Sequence, residues 1–166
     1  MRDSGQWSVV ERVAPFNPLL LITDHWSLIT ERRTMECRLF NERDRELLAE
    51  WIGERTGIGF PRELVPATGI AVLEEGRTLA LISVYLEKTT AVAVLGFTAA
   101  NAENTKAESA ESLGLGIRTA LDYVRSLGVK HCIGVYGNDG LNRLLDRIGF
   151  QTADRDVTQK YIYLSD

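Results

Sequence analysis

Cys37 and Cys132 are the two cysteines of this 166-residue chain, and His25 and His131 are its two histidines. That inventory limits the chemistry at once. Two cysteines make neither a disulfide framework nor a four-ligand zinc site, and two histidines are too few for a His-rich metal centre. No metal is expected. Cys132 sits in the apolar run Val129–Tyr136 with no base partner beside it, which reads as a small buried hydrophobe and not as a nucleophile. The sequence holds no G-x-x-x-x-G-K-S/T phosphate loop, no H-E-x-x-H zinc helix and no G-x-S-x-G nucleophile elbow. Gly114-Leu-Gly116 begins like a dinucleotide fingerprint, but Thr119 stands where the third glycine belongs and no strand leads directly into it.

The elements that must position any site are well punctuated from Met35 onward. Met35–Phe40 alternates and reads as a strand. Asn41 offers a cap oxygen, with Asp44 three residues on, to a helix over Glu42–Arg55 that carries Leu47, Leu48, Trp51 and Ile52 at helical spacing. Gly57, Gly59, Pro61 and Pro66 mark a loop. Gly69–Leu73, Thr78–Leu86 and Thr90–Thr98 then form an antiparallel meander with tight turns. After a polar stretch, Leu113, Ile117, Ala120, Leu121, Val124 and Leu127 fall on one helical stripe that Gly128 ends. Val129–Tyr136 is a strand. Asn138 or Asp139 caps a short helix closed by Gly149, and Thr158–Leu164 is the last strand. A helix between Thr98 and Val129 lets those strands run parallel. The fold class is α/β (α+β): one twisted mixed sheet of about six to seven strands with helices on both faces.

Residues 1–34 read differently, with two of the three tryptophans and no helical period. They divide the chain into an arm, 1–34, and a domain, 35–166. The arm packs on the domain or on a second subunit, which would make a homodimer; an unstructured leader is the other reading. Hydrophobic residues at 45% and charged residues at 25% suit one soluble domain and exclude wholesale disorder. A net charge of −4 argues against nucleic-acid binding through bulk positive charge. No apolar run approaches the roughly 18 residues that span a bilayer. The expected setting is reducing and cytoplasmic, with no membrane and no nucleic-acid partner.

The segment Asn138-Asp-Gly-Leu-Asn-Arg-Leu-Leu-Asp-Arg-Ile-Gly-Phe150, after a helix, Gly128 and a strand, resembles the closing motif of the GCN5-related N-acetyltransferases (GNAT). Asn138, Leu141, Leu144, Gly149 and Phe150 match, and the likeness covers about residues 35–164. A softer run, Gly96-Phe97-Thr98, Asn101, Asn138, Gly149-Phe150 and Asp156-Val-Thr158, is similar to short acetyltransferase-like proteins of phage genomes.

The resemblance implies a splayed central strand pair, acetyl-CoA as co-substrate, and a small-molecule or peptide amine as acceptor. The parting strands would hydrogen-bond the pantetheine through the backbone of Phe97, Thr98 and Ala99. The start of the long helix would hold the pyrophosphate. The family writes that turn Gln/Arg-x-x-Gly-x-Gly/Ala; Glu111-Ser-Leu-Gly114-Leu-Gly116 imitates it with Glu in the first place. Counting back from Gly128 favours a second register, with the turn at Glu108, Ser109, Ala110, Glu111, Ser112 and Leu113 and both glycines inside the helix. Asn138 and Leu141 complete the implied cofactor contacts. Lys106 and Arg118 supply countercharge or are solvated helix residues. The family's usual tyrosine acid falls on Leu145, which leaves Tyr136 as substitute acid and Glu87 as candidate base, each also readable as an ordinary strand-end residue. Tyr85 is a candidate substrate contact. Two functions stand: an acyl-CoA-dependent N-acyltransferase acting on a primary amine, or a catalytically inactive interaction module on the same fold, within a phage or prophage programme.

Overall fold

The computed structural model describes residues 26–30, 33–87, 91–134, 136 and 139–152. Residues 1–25, Asn138 and the expected strand Thr158–Leu164 lie outside them. Five strands follow one another by antiparallel pairing: β1 (Trp26–Thr30), β2 (Arg33–Leu39), β3 (Gly69–Glu74), β4 (Arg77–Glu87) and β5 (Val92–Ala100). β6 (His131–Gly134) adds in parallel beside β5. Among the described residues the sheet order is β1-β2-β3-β4-β5-β6, one open mixed sheet. β1, from the segment set apart as an arm, lies on its outer edge beside β2. Three helices complete the architecture: α1 (Glu42–Thr56), α2 (Lys106–Ser126) and α3 (Asp139–Ile148).

Alternation along the strands sends side chains to two cores, one on each face. Leu48 and Ala49 of α1 pack with Ala71, Leu81 and Ala99 on one face. On the other, Ile117, Ala120 and Val124 of α2 and Leu145 of α3 pack with Val72, Ile82, Val84, Ala93 and Leu95. Helices therefore cover both faces, as the pattern implied.

The expected cap of α1 is present as a reciprocal pair. Asp44 N–H donates to Asn41 Oδ1 at 3.1 Å, and Asn41 N–H donates to Asp44 Oδ2 at 2.7 Å. Asp44 is buried and also takes both guanidinium ends of Arg38 from β2, which ties the helix start to the sheet.

α2 runs over the sheet because Gly116 lets it approach. A Cβ there would meet Ile82 Cδ1 at 2.2 Å and Val72 Cγ2 at 2.9 Å. Both Gly114 and Gly116 lie inside the helix, as the count back from Gly128 placed them. The helix begins earlier than that count placed it, at Lys106, because Thr105 caps it.

Candidate functional site

β5 and β6 pair over four residues only, from Val92 with His131 to Leu95 with Gly134. Beyond Leu95, β5 continues to Ala100 along β4, so Gly96–Ala100 present an edge with no β6 partner among the described residues. A bulge lies at the same place. Between Ile82↔Thr98 and Val84↔Leu95, two steps of β4 oppose three of β5. The extra residue bends the strand, and such bulges recur beside active sites. Among the described residues, this leaves a wedge between the open edge of β5 and Tyr136.

Tyr136 stands in that wedge. Its ring turns back over β6, close enough that a Cβ on Gly134 would meet Tyr136 Cε2 at 2.9 Å. Its hydroxyl lies 3.2 Å from Thr98 Oγ1 on the free edge of β5. Its carbonyl accepts from Asn142 Nδ2 of α3 at 3.2 Å, which fixes the backbone. Burial pushes the phenol up to about 12, against the smaller lowering by the Thr98 hydrogen bond. The phenol is therefore protonated at any physiological pH.

The N-terminus of α2 opens beside the end of β5. Thr105 Oγ1 accepts from Glu108 N–H at 3.2 Å, and Thr105 N–H donates to Glu108 Oε2 at 2.7 Å. The N–H groups of Lys106 and Ala107 have no acceptor within the helix. Arg77, from the β3–β4 turn, reaches Glu108 Oε1 at 3.4 Å and Asn104 Oδ1 at 3.4 Å. Asn101 and Asn104 hydrogen-bond the carbonyls of Thr78 and Leu79, pinning the connecting loop to β4.

Of the expected phosphate-turn residues, Glu108 is thus in the cap. Ser109 donates its N–H to Thr105 O, and Ser112 is buried with its hydroxyl on Glu108 O. Ala110 and Glu111 are exposed on the helix, while Leu113 packs against the core. Lys106 occupies the first helical position; Arg118 stands twelve residues on, about 18 Å along the axis.

Phe97, Thr98 and Ala99 lie on the stretch of β5 that has no β6 partner among the described residues. Phe97 and Ala99 face α1, and Thr98 faces the wedge. Leu141 packs against the α2–α3 core. Leu145 is buried in it, so an aliphatic group fills the position where the resemblance implies an acid. Glu87 does not join this group. It pairs with Val92 at the closed end of the sheet, six residues from Thr98, and a strand's rise makes that about 20 Å. Burial raises the thiols of Cys37 and Cys132, away from nucleophilic thiolate.

Sequence reasoning missed three participants. Ser83 gave no signal, since it sits in an apolar strand run, and Phe60 gave none because it falls in a Gly- and Pro-marked loop. Arg77 reads as a turn residue. The cap was legible: Thr105-x-x-Glu108 is a capping-box spacing.

No protein-family model matches the chain, and no curated protein matches it. Solved structures do. A probable acetyltransferase superposes with a TM-score of 0.58 at 15% identity, over 78% of this chain and 98% of the other. The aminoglycoside N-acetyltransferase AAC(6')-Iy in complex with CoA gives 0.57 at 11% identity, over 81% and 99%. The ribosomal-protein-alanine N-acetyltransferase of Brucella melitensis biovar Abortus 2308 gives 0.56 at 12%, over 78% and 99%. The chain shares the fold of these solved acetyltransferase structures. These identities establish the fold and leave the reaction to the chain's own residues. Among the described residues no helix is long and apolar enough to cross a membrane.

Proposed function

We propose that the chain is an acyl-CoA-dependent N-acyltransferase that moves an acetyl group from acetyl-CoA to a primary amine. The observation that carries this reading is the wedge: β5 runs on to Ala100 after its pairing with β6 ends at Leu95. An extended, amide-bearing arm can lie along Phe97, Thr98 and Ala99 as an added strand would. The N–H groups of Lys106 and Ala107, with the Lys106 ammonium, offer donors and positive charge for a pyrophosphate at the helix start.

Acetyl-CoA brings an acyl thioester; the amine nitrogen bonds to the acyl carbon, the carbon–sulfur bond breaks, one amine proton is lost and the sulfur leaves as a thiol. Tyr136 is the group on this chain that carries a proton at the wedge, and Thr98 orients it. With its pKa at about 12 the proton is always present, and its release is the harder half of its task. Glu87 has no part in this arrangement because of its distance along the strand.

Two neighbours bear names of enzymes for amine acceptors, an aminoglycoside and a ribosomal-protein alanine. This chain's acceptor is read in the same broad class, a small-molecule or peptide amine. Isothermal titration with acetyl-CoA and with CoA tests the reading. Micromolar binding of both is expected; no heat and no thermal shift at millimolar ligand would sink it.

A second reading rests on one arrangement. Thr105 and Glu108 cap α2 from within the chain, and Tyr136 stands in the wedge itself. A non-catalytic descendant of the fold has this character. It predicts that Tyr136→Ala, which opens the wedge, produces no acetyl-CoA binding either.

A further inference from the structure

Ser83 is fully buried in β4, and its hydroxyl has no hydrogen-bond partner among the described residues. Buried hydroxyls are almost always paired, and an alanine in the same strand would avoid the cost of one that is not. Its place is specific. Ser83 lies between Ile82, which pairs with Thr98, and Val84, which pairs with Leu95, so it stands opposite the bulge residues Gly96 and Phe97. A Cβ on Gly96 would come within 2.9 Å of Ser83 Oγ and 2.3 Å of Tyr85 Cε2. The space that Gly96 leaves open is filled by the Tyr85 ring, on the same side as the orphan hydroxyl.

Tyr85 covers the Gly96 backbone. It is 37% exposed, and its hydroxyl donates to the Leu64 carbonyl in the connection between α1 and β3. Displacing the ring would break that hydrogen bond and the edge contact with Phe97, and would uncover the Gly96 backbone and Ser83 Oγ. The walls around the opening are apolar. Phe60 meets Phe97 edge-to-face at 4.6 Å, Tyr85 lies 6.5 Å from Phe97, and Leu64 is 43% exposed beside them. Thr98 faces away from this surface, toward Tyr136. The bent stretch of β5 therefore separates an aromatic opening with a hydroxyl floor from the proton carried by Tyr136.

We infer that this opening receives the acceptor, and that the acceptor is a primary amine carried on an aromatic or branched apolar body. Tyr85 swings off Gly96, the body packs between Phe60, Phe97 and Leu64, and Ser83 Oγ hydrogen-bonds the amine nitrogen. A polycation is disfavoured, because apolar walls would strip water from charges they cannot pair. The inference rests on the acyl-transfer reading for the amine's fate, but the pocket itself is tested without it.

The probes are 2-phenylethylamine and spermidine, titrated into the full chain, Ser83→Ala and Tyr85→Phe, with acetyl-CoA titrated separately into each. 2-Phenylethylamine is expected to bind and spermidine not to. Ser83→Ala is expected to weaken the aromatic amine about tenfold while the free protein melts no lower. Tyr85→Phe, released from Leu64, is expected to bind it more tightly. Equal affinity in wild type and Ser83→Ala, or binding of spermidine alone, overturns the inference. Should Ser83→Ala fail to fold, unchanged affinity in Tyr85→Phe overturns it instead. Absence of acetyl-CoA binding alongside Ser83-dependent amine binding removes the acyl-transfer reading and leaves the amine pocket standing.

Discussion

The hydroxyl of Tyr136 meets the hydroxyl of Thr98 at 3.2 Å across the opening where β5 and β6 part. The contact lies three residues along β5 from Leu95, the last residue paired with β6 among the described residues. It also sets a titration. The folded phenol is pushed up to about 12 by burial, above the ordinary 10. Its stabilising effect is fully present below about pH 10 and is lost as pH rises toward 12. Two pH units correspond to about 3 kcal/mol. Tyr136→Phe should therefore be less stable than wild type by about 1 kcal/mol at pH 7, from the lost hydrogen bond. It should equal or exceed wild type by pH 12. Urea denaturation of both proteins at pH 7, 10 and 11.5 checks the crossing; parallel curves would exclude it.

Gly114 and Gly116 make opposite predictions from one helix. Alanine in a helix interior gains about 1 kcal/mol over glycine. At Gly114 a Cβ meets nothing nearer than Arg118 Nη2 and Leu144 Cδ1 at 3.5 Å, ordinary contact, so Gly114→Ala should be neutral or stabilising by up to that amount. At Gly116 the Cβ would lie 2.2 Å from Ile82 Cδ1, and overpacking costs about 1–3 kcal/mol. Gly116→Ala should lower the melting temperature, and Gly114→Ala should not.

The helices and the meander were legible because their signals are local: Asn41 before Glu42, the stripe from Leu113 to Leu127, tight turns between apolar runs. The place of Gly114 and Gly116 inside α2 followed from counting back from Gly128, while its start at Lys106 did not. What the sequence concealed depends on long-range register. Nothing in Leu95-Gly-Phe-Thr98 announces that an extra residue is accommodated there, yet that bulge places Ser83 opposite Gly96. Glu87 looked near the site because it ends the strand that precedes β5. Antiparallel pairing instead carries it to the far end of the sheet. The place of Tyr136 in the wedge needed both the parting and a ring that folds back over Gly134.

Arg38 and Asp44 test the junction of α1 with the sheet. Asp44 is 2% exposed and receives both guanidinium ends of Arg38 as well as the Asn41 N–H. Removing the arginine strands a buried carboxylate, which costs about 3 kcal/mol. Arg38→Ala should lose roughly that much stability. Adding Asp44→Asn, which keeps an oxygen for the Asn41 N–H but removes the charge, should recover a large part. A double variant no more stable than Arg38→Ala would show that packing of the arginine stem, and not the stranded charge, dominates.

Glu108 separates stability from ligand binding most cleanly. Its carboxylate completes the cap of α2 and pairs with Arg77, so it favours the helix through the N-terminal dipole by about 0.3–1 kcal/mol. The same negative charge stands within one turn of the donors proposed for a pyrophosphate, where it opposes an anion. Glu108→Gln keeps a side-chain oxygen for the Thr105 N–H, as glutamine does in capping boxes, and removes the charge. The melting temperature should fall slightly while acetyl-CoA affinity rises several-fold, with the larger gain at low ionic strength, where charge repulsion is least screened. Pantetheine, which lacks the phosphates and the adenosine of CoA, should bind both proteins equally. Calorimetry on the two proteins with the two ligands decides it. An affinity for acetyl-CoA that does not change with the charge would place the phosphates elsewhere than at the start of α2.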